Sequence, residues 1–345
     1  MPHEDDRFQQ VIQRLEHGSR QYFGVEEARI TAVRKEIRPY SDLLRARVQS
    51  TSGTNGIYIK LGKAIAGGPS LPTIRSRFRR DFDTTSRVHR VLANDAAVSV
   101  VRPIACFDEP LAIVTEEVCG PNLLRVLETH AVRWRGSASA LEKLETLFGH
   151  AGHWVRRFQE IEGGATTFSF DELIEYVDLR VQRLAADTNS SFTETDRRGV
   201  LQYLSARRGE IEPQDLMEVA IHGDFTPGNT LAAGPRVVVL DLTMTHRGVQ
   251  LHDLARFYTQ IDFLKFKPQF DRARIGRLQA ALLRGFDPGL NPSHPMFQVL
   301  VLLHTVNHFG TLVTKRAPFP ASAFNRFVAS RHLGWIRRTI ASAGA

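Results

Sequence analysis

Phe8, Val11, Ile12 and Leu15 recur at helical spacing and predict a short amphipathic helix over Asp6–Leu15. The period then shortens. Ala28–Glu36, Asp42–Gln49 and Gly56–Leu61 read as strands, the last two joined by the turn-rich run Ser50–Gly56 as in a hairpin. Phe78–Leu92 returns to helical spacing through Phe82, Val88, Val91 and Leu92, and Val100–Phe107 and Leu111–Val118 predict two further strands. Beyond Cys119-Gly120-Pro121 the pattern is mostly helical, over Leu123–Leu127, Ala140–Ile161, Phe170–Ala185 and Asp196–Arg207. Short strand-like pieces follow at Val219–His222 and Arg236–Leu242. From Asp253 the pattern is helical to the end, broken by Pro-bearing loops at Asp287–Pro295 and Ala317–Pro320. The expected class is α+β, with a small antiparallel-sheet lobe over 1–118 and a larger, mostly helical lobe over 119–345, and a hinge between them.

Composition narrows the class. A chain of 345 residues, 42% hydrophobic and 24% charged, buries a sizeable core and exceeds the size at which one core usually divides. The apolar runs Val237–Leu240 and Val299–Leu303 are too short to span a bilayer, and the acidic start Met-Pro-His-Glu-Asp-Asp is no signal peptide. Two cysteines, Cys106 and Cys119, make no disulfide framework and favour a reducing, cytoplasmic setting. The net charge of +8 is uneven: from Thr245 onward fourteen Lys or Arg face four acids. That excess suits an anionic partner such as a nucleotide or phosphorylated compound. Nucleic acid is not expected, because aromatics are not interleaved with the basic residues as a stacking platform requires. Phe263-Leu264-Lys265-Phe266-Lys267 mixes aromatic and basic residues and is read either as a packed helical face or as a peripheral membrane contact. Oligomeric state is not legible.

Chemistry concentrates in Ile221-His222-Gly223-Asp224-Phe225-Thr226-Pro227-Gly228-Asn229, followed by Arg236-Val237-Val238-Val239-Leu240-Asp241. An Asp with an Asn five residues later, then an Asp after a strand, is the spacing of a phosphoryl-transfer site. Such transfer needs in-line positioning, one carboxylate beside the attacking hydroxyl, and hard oxygen ligands for Mg²⁺. Rival motifs fail. No G-x-S-x-G occurs, Gly56…Gly62-Lys63-Ala64 lacks the Ser or Thr of a P-loop, and His150 and His153 have no third zinc ligand.

His-Gly-Asp, four residues and Asn, complete at His222–Asn229, resembles the aminoglycoside phosphotransferase and choline kinase-like superfamily, small-molecule relatives of the protein kinases. Gly248 and Asp253-Leu254-Ala255 match its Gly…Asp-Leu-Ala run, and the likeness spans roughly residues 30–260. The resemblance implies the protein-kinase-like fold and an ATP-dependent transfer to a hydroxyl of a small molecule or glycan. It implies Asp224 as catalytic base with His222 bracing the loop, Asn229 and Asp241 as Mg²⁺ ligands, and Asp253 as a loop brace. Lys60, closing the strand Ile57-Tyr58-Ile59-Lys60, is expected to hold nucleotide phosphates, with Lys63 past the strand as its competitor. Its partner acid lies in Arg80-Asp81-Phe82-Asp83, Asp81 favoured over Asp83, where relatives commonly carry the longer Glu. Ser41, in the turn Arg38–Asp42, is expected to meet a phosphate, and the backbone of Glu116-Glu117-Val118 to pair with adenine; GTP in place of ATP stays open. Thr243 stands where the family frequently has a second acid. A catalytically impaired pseudokinase is the alternative reading. A polycationic aminoglycoside is disfavoured as acceptor by the basic last third, although Asp171, Glu172, Glu175 and Asp178 form one acidic cluster.

Overall fold

The computed structural model describes residues 4–38, 41–64, 68–134, 136–161, 166–188, 190–314 and 318–342. Its elements in chain order are α1 (Glu4–His17), α2 (Ser19–Phe23), β1 (Ala28–Ile37), β2 (Ser41–Ser50), β3 (Gly53–Gly62), α3 (Leu71–Val91), β4 (Val98–Val100), β5 (Pro103–Asp108) and β6 (Leu111–Glu116). They continue as α4 (Leu123–His130), α5 (Ala138–Ile161), α6 (Phe170–Ala186), α7 (Glu194–Arg207), β7 (Glu218–Ile221), β8 (Thr230–Ala233) and β9 (Arg236–Val239). The chain closes with β10 (His246–Val249), α8 (His252–Asp262), α9 (Arg272–Phe286), α10 (Pro295–Thr314) and α11 (Ala321–Ala341). Two compact units emerge. One runs through Leu123 and takes in Asn229–Thr245; the other holds Leu124–Gly228 and everything from His246. The β8–β9 segment is thus grouped with the first unit and not with residues 124–228 that precede it.

In the first unit a five-stranded antiparallel sheet has the order β1-β2-β3-β6-β5. Along β3 the pleat sends Ile57, Ile59 and Leu61 to a buried face while Tyr58 and Lys60 point the other way. Phe8, Val11, Ile12 and Leu15 of α1 close that buried face in one cluster with Ile30, Ala46, Val48, Ile57 and Ile59. Leu111 and Ile113 of β6 instead meet Ile74 and Phe78 of α3. Helix α3 starts at Leu71, seven residues before the expected Phe78. Ser70 accepts a hydrogen bond from the Thr73 N–H and Pro72 stands in the first turn, which is a complete start signal in a polar stretch.

The expected strand Val100–Phe107 is two strands in two sheets. β4 runs parallel to β9, with Val98 opposite Val237 and Val100 opposite Val239, whereas β5 pairs with β6. Pro103 has no N–H to donate and marks the break. β8 and β10 were not expected from the sequence, being only four residues each, too short to display a period.

The second unit is helical around one antiparallel ribbon, β7 with β10. α5 and α9 cross at glycines: a Cβ on Gly152 would run into the Leu282 carbonyl, and one on Gly285 into the Gly149 carbonyl. Trp154 stacks on Phe158 with centroids 4.9 Å apart and on Phe225 at 5.3 Å, and Phe225 leans on Phe257 at 5.0 Å. These rings form the floor beneath the 222–225 loop. α10 is by length and composition apolar enough to cross a membrane, but 56% of that stretch is buried in the unit. Phe263 of the mixed aromatic and basic run stacks on His308 at 3.9 Å, Leu264 is buried, and Lys265 pairs with Asp262 at 2.6 Å. The run is packed within the helical unit.

Candidate active site

The loop after β7 is held from below by α8. Asp253, fully buried, accepts the His222 N–H at 2.6 Å and the Gly223 N–H at 3.0 Å. Burial works to raise the pKa of this carboxyl, but His252 and the His222 N–H outweigh it and hold it below the ordinary carboxylate range. His222 is itself buried among Trp154 and Phe225, and its Nδ1 accepts the Asp224 N–H at 3.2 Å. Gly223 takes φ +77, a left-handed conformation that lets the chain double back between these two bonds. Thus His222 and Asp253 fix the backbone on which Asp224 stands. The Asp224 side chain is half-exposed and its Oδ1 accepts from Nη2 of Arg256, on α8 three residues after Asp253. Helix spacing puts Asp253 and Arg256 on one face.

The first unit gathers a second set. Lys60 Nζ donates to Asp241 Oδ1 at 2.8 Å and to Thr243 Oγ1 at 3.0 Å, and lies 4.0 Å from Asp81 Oδ2. Thr243 donates to Asp81 Oδ2 at 2.6 Å and also contacts Asp241 Oδ1. One hydroxyl proton serves one carboxylate at a time, and Lys60 holds the other. Asp81 is buried on α3, with Thr85 as a further partner at 3.3 Å; burial pushes its carboxyl up, against the pull of Lys60. Asp83, its rival, is exposed on the same helix. Lys63, the rival of Lys60, pairs with the buried Asp42 instead.

Asp241 and Asn229 stand at the same end of the β8–β9 hairpin, where the Leu240 N–H donates to the Asn229 carbonyl at 2.9 Å. Asp241 is the one non-glycine described residue at positive φ, +60 with ψ +70. Strain of that kind persists where the surroundings enforce it, and it lifts the carboxylate out of line with the strand. One carboxylate and one carboxamide oxygen at a rigid hairpin end fit Mg²⁺, which keeps waters and substrate phosphates for its remaining positions. No group of three acidic, His or Cys side chains able to hold a metal occurs among the described residues, so an all-protein cage is not what this donor set offers.

Of the remaining expected residues, Ser41 opens β2 opposite Gly62, and its carbonyl accepts the Arg38 N–H at 3.0 Å; Pro39 and Tyr40 of that turn lie outside the described residues. The Glu116 N–H is spent on the Arg102 carbonyl at 2.9 Å and the Glu117 N–H on Gly56 at 2.8 Å. The Glu116 carboxylate pairs with Arg102 at 2.9 Å, and Val118 follows the end of β6. Sequence reasoning missed two participants. Thr243 was noted only as a missing acid, though a hydroxyl two residues beyond Asp241 was a signal for a bridge. Arg256 directly follows Asp253-Leu254-Ala255, and its i, i+3 relation to the loop brace was its signal.

Residues 72–289, more than half of the chain, match the phosphotransferase enzyme family, APH. No curated protein sequence matches significantly. Among solved structures, choline kinase from Cryptosporidium parvum Iowa II superposes with a TM-score of 0.55 at 11% identity, covering 98% of this chain and 97% of that one. A thermostable mutant of aminoglycoside phosphotransferase APH(4)-Ia, in ternary complex with AMP-PNP and hygromycin B, gives 0.54 at 16% identity, covering 96% and 99%. Amicoumacin kinase hAmiN, in complex with AMP-PNP, Ca²⁺ and Ami, gives 0.53 at 13% identity, covering 97% and 95%. At such identities the likeness speaks for the fold, which is protein-kinase-like, with a sheet-bearing N-terminal part and a helical C-terminal part. Membership comes from the family match: this chain belongs to the APH phosphotransferase family and is a kinase acting on hydroxyl groups.

Proposed function

We propose that this kinase transfers the γ-phosphoryl group of ATP to a hydroxyl of a small molecule or glycan, with Asp224 as base and Mg²⁺ held by Asn229 and Asp241. The acceptor oxygen forms a new bond to the γ-phosphorus as the bond to the β,γ-bridging oxygen breaks. The electron pair leaves with ADP, and the hydroxyl proton passes to the Asp224 carboxylate. His222 and Asp253 keep that carboxylate in place through the loop backbone. Lys60, set by Asp81 and Thr243, meets the nucleotide phosphates, with Ser41 beside them; the Glu116 carbonyl and Val118 N–H receive the base. A bound Mg²⁺ supplies neutralisation of phosphate charge. Residues 1–118 serve the nucleotide and 119–345 carry the base and the acceptor. GTP is the alternative donor, but guanine offers O6 as acceptor and N1–H as donor, the reverse of adenine, so it would have to sit in a shifted register against the same backbone groups.

The observation that carries this reading is the Lys60–Asp241–Thr243–Asp81 cluster, which joins residues up to 183 positions apart in sequence. Free thiols at Cys106 and Cys119 favour a cytoplasmic setting; burial pushes Cys106 up to about 11, so it is no nucleophile at neutral pH. The test is ATP and GTP consumption with Mg²⁺ over a panel of hydroxyl acceptors, wild type against Asp224→Asn. Acceptor-dependent turnover lost in the variant is expected. A second reading, a nucleotide-binding module without turnover, is favoured by Lys60 lying closer to Asp241 than to Asp81. Tight Mg·ATP binding with no product across the panel selects it.

A further inference from the structure

The Asp224–Arg256 pair places a permanent cation against the carboxylate that must meet the acceptor. The guanidinium has unused capacity: its Nε is buried with no acceptor among the described residues. One helical turn before it on α8, His252 sets its Nδ1 3.8 Å from the Asp253 carboxylate. The His304 ring lies against His252 with centroids 4.7 Å apart. The base therefore stands beside a fixed positive charge, that of Arg256, which still has an N–H to give. The acidic cluster that a cationic acceptor would need is partly neutralised, because Asp171 pairs with Arg208 and Asp178 with Arg197 at 2.7 Å. A buried guanidinium N–H without a partner is costly to keep, so Arg256 gains from an incoming acceptor atom.

We propose that the acceptor carries an anionic group, a carboxylate, sulfate or phosphate, close to its reacting hydroxyl, and that Arg256 recognises it. As that anion arrives, the guanidinium divides its bonds between it and Asp224, which brings the hydroxyl to the base and uncovers the carboxylate together. Arg suits the task because its planar fork engages two oxygen acceptors at once. A polycationic acceptor would meet Arg256 head-on and is excluded by the same charge. The inference rests on Asp224 being the base, as proposed above.

The experiment compares matched pairs that differ only in charge: glycerate with glyceramide, gluconate with gluconamide, glucuronate with glucuronamide, and kanamycin as a polycation. Phosphorylation is followed as kcat and KM for wild type, Arg256→Gln, Arg256→Lys and Asp224→Asn, with ATP hydrolysis in water as reference. Wild type is expected to favour at least one acid over its amide by tenfold or more in kcat/KM, through KM. Arg256→Gln brings the ratio to about one, and Arg256→Lys restores part of it. Equal use of acid and amide, preference for kanamycin, or an acid preference that survives in Arg256→Gln overturns the assignment. So does wild type that leaves every acid untouched while its ATP hydrolysis still depends on Asp224. Hydrolysis indifferent to Asp224→Asn, or absent, overturns instead the reading on which it rests.

Discussion

Thr243 occupies the position where a carboxylate would have placed a third negative charge beside Asp81 and Asp241. As a hydroxyl it accepts from Lys60 and donates to Asp81, so the short Asp81 side chain reaches the lysine through it despite the 4.0 Å gap. Thr243→Val removes the donor of a buried carboxyl. It is expected to cost about 1–3 kcal/mol in thermal stability and to raise KM for ATP, while Thr243→Ser retains both. Thermal melts and ATP saturation curves check this. Asp224→Asn is expected to lower kcat by roughly 10²–10⁴ with KM for ATP unchanged, the span associated with loss of a positioned base. Steady-state kinetics on any accepted hydroxyl compound decide it. The spacing of Asp224, Asn229 and Asp241 was readable because it is local. The link from Lys60 to Asp81 was readable only as a family expectation, and the part of Thr243 in it was not read. Arg256 offered only its i, i+3 relation to Asp253 as a signal, because its meeting with Asp224 depends on how α8 docks beneath a loop 32 residues earlier.

At the scale of elements, long amphipathic helices and the β1–β3 meander were legible because their periods repeat over ten or more residues. The β4–β9 parallel pair was not, since three-residue strands show no period and their pairing spans more than a hundred residues. Nor was the α5–α9 crossing, which depends on glycines whose meaning lies in the partner helix. Those glycines yield a test. Gly285→Ala or Gly152→Ala forces a methyl against a backbone carbonyl that cannot rotate away. Overpacking of this kind costs about 1–3 kcal/mol, even though alanine is the better helix former. A lower urea midpoint with an unchanged slope is expected; no change, or a gain, would mean that the crossing opens without strain.

For the whole molecule, acidity is the informative variable. His304 is held well below its ordinary 6.5, first by burial and then by His252 and Arg256. His332, within hydrogen-bond reach of His308 at 2.9 Å, is lowered to about 3, first by burial and then by His308. Both stay neutral in the folded chain at a pH where the unfolded chain binds protons. Their contribution to stability is complete above about pH 6.5 and is lost as pH falls below it, for His332 down to about 3, each by up to about 1.4 kcal/mol per pH unit. Denaturation midpoints between pH 7 and 4 are expected to fall steeply, and His332→Gln to flatten the slope. A parallel shift of the whole curve, with its slope kept, would assign the acid sensitivity elsewhere.

The hairpin Thr230–Val239 lends β9 to the edge of β4, although more than a hundred residues of the helical unit are synthesised between them. A nascent chain therefore finishes its sheet-bearing unit only after residue 245 has left the ribosome, and a gene fragment ended at Leu123 encodes a unit that lacks two strands and the Asn229 and Asp241 side chains. Anyone wishing to produce that unit alone must splice 229–245 onto it, for instance by circular permutation.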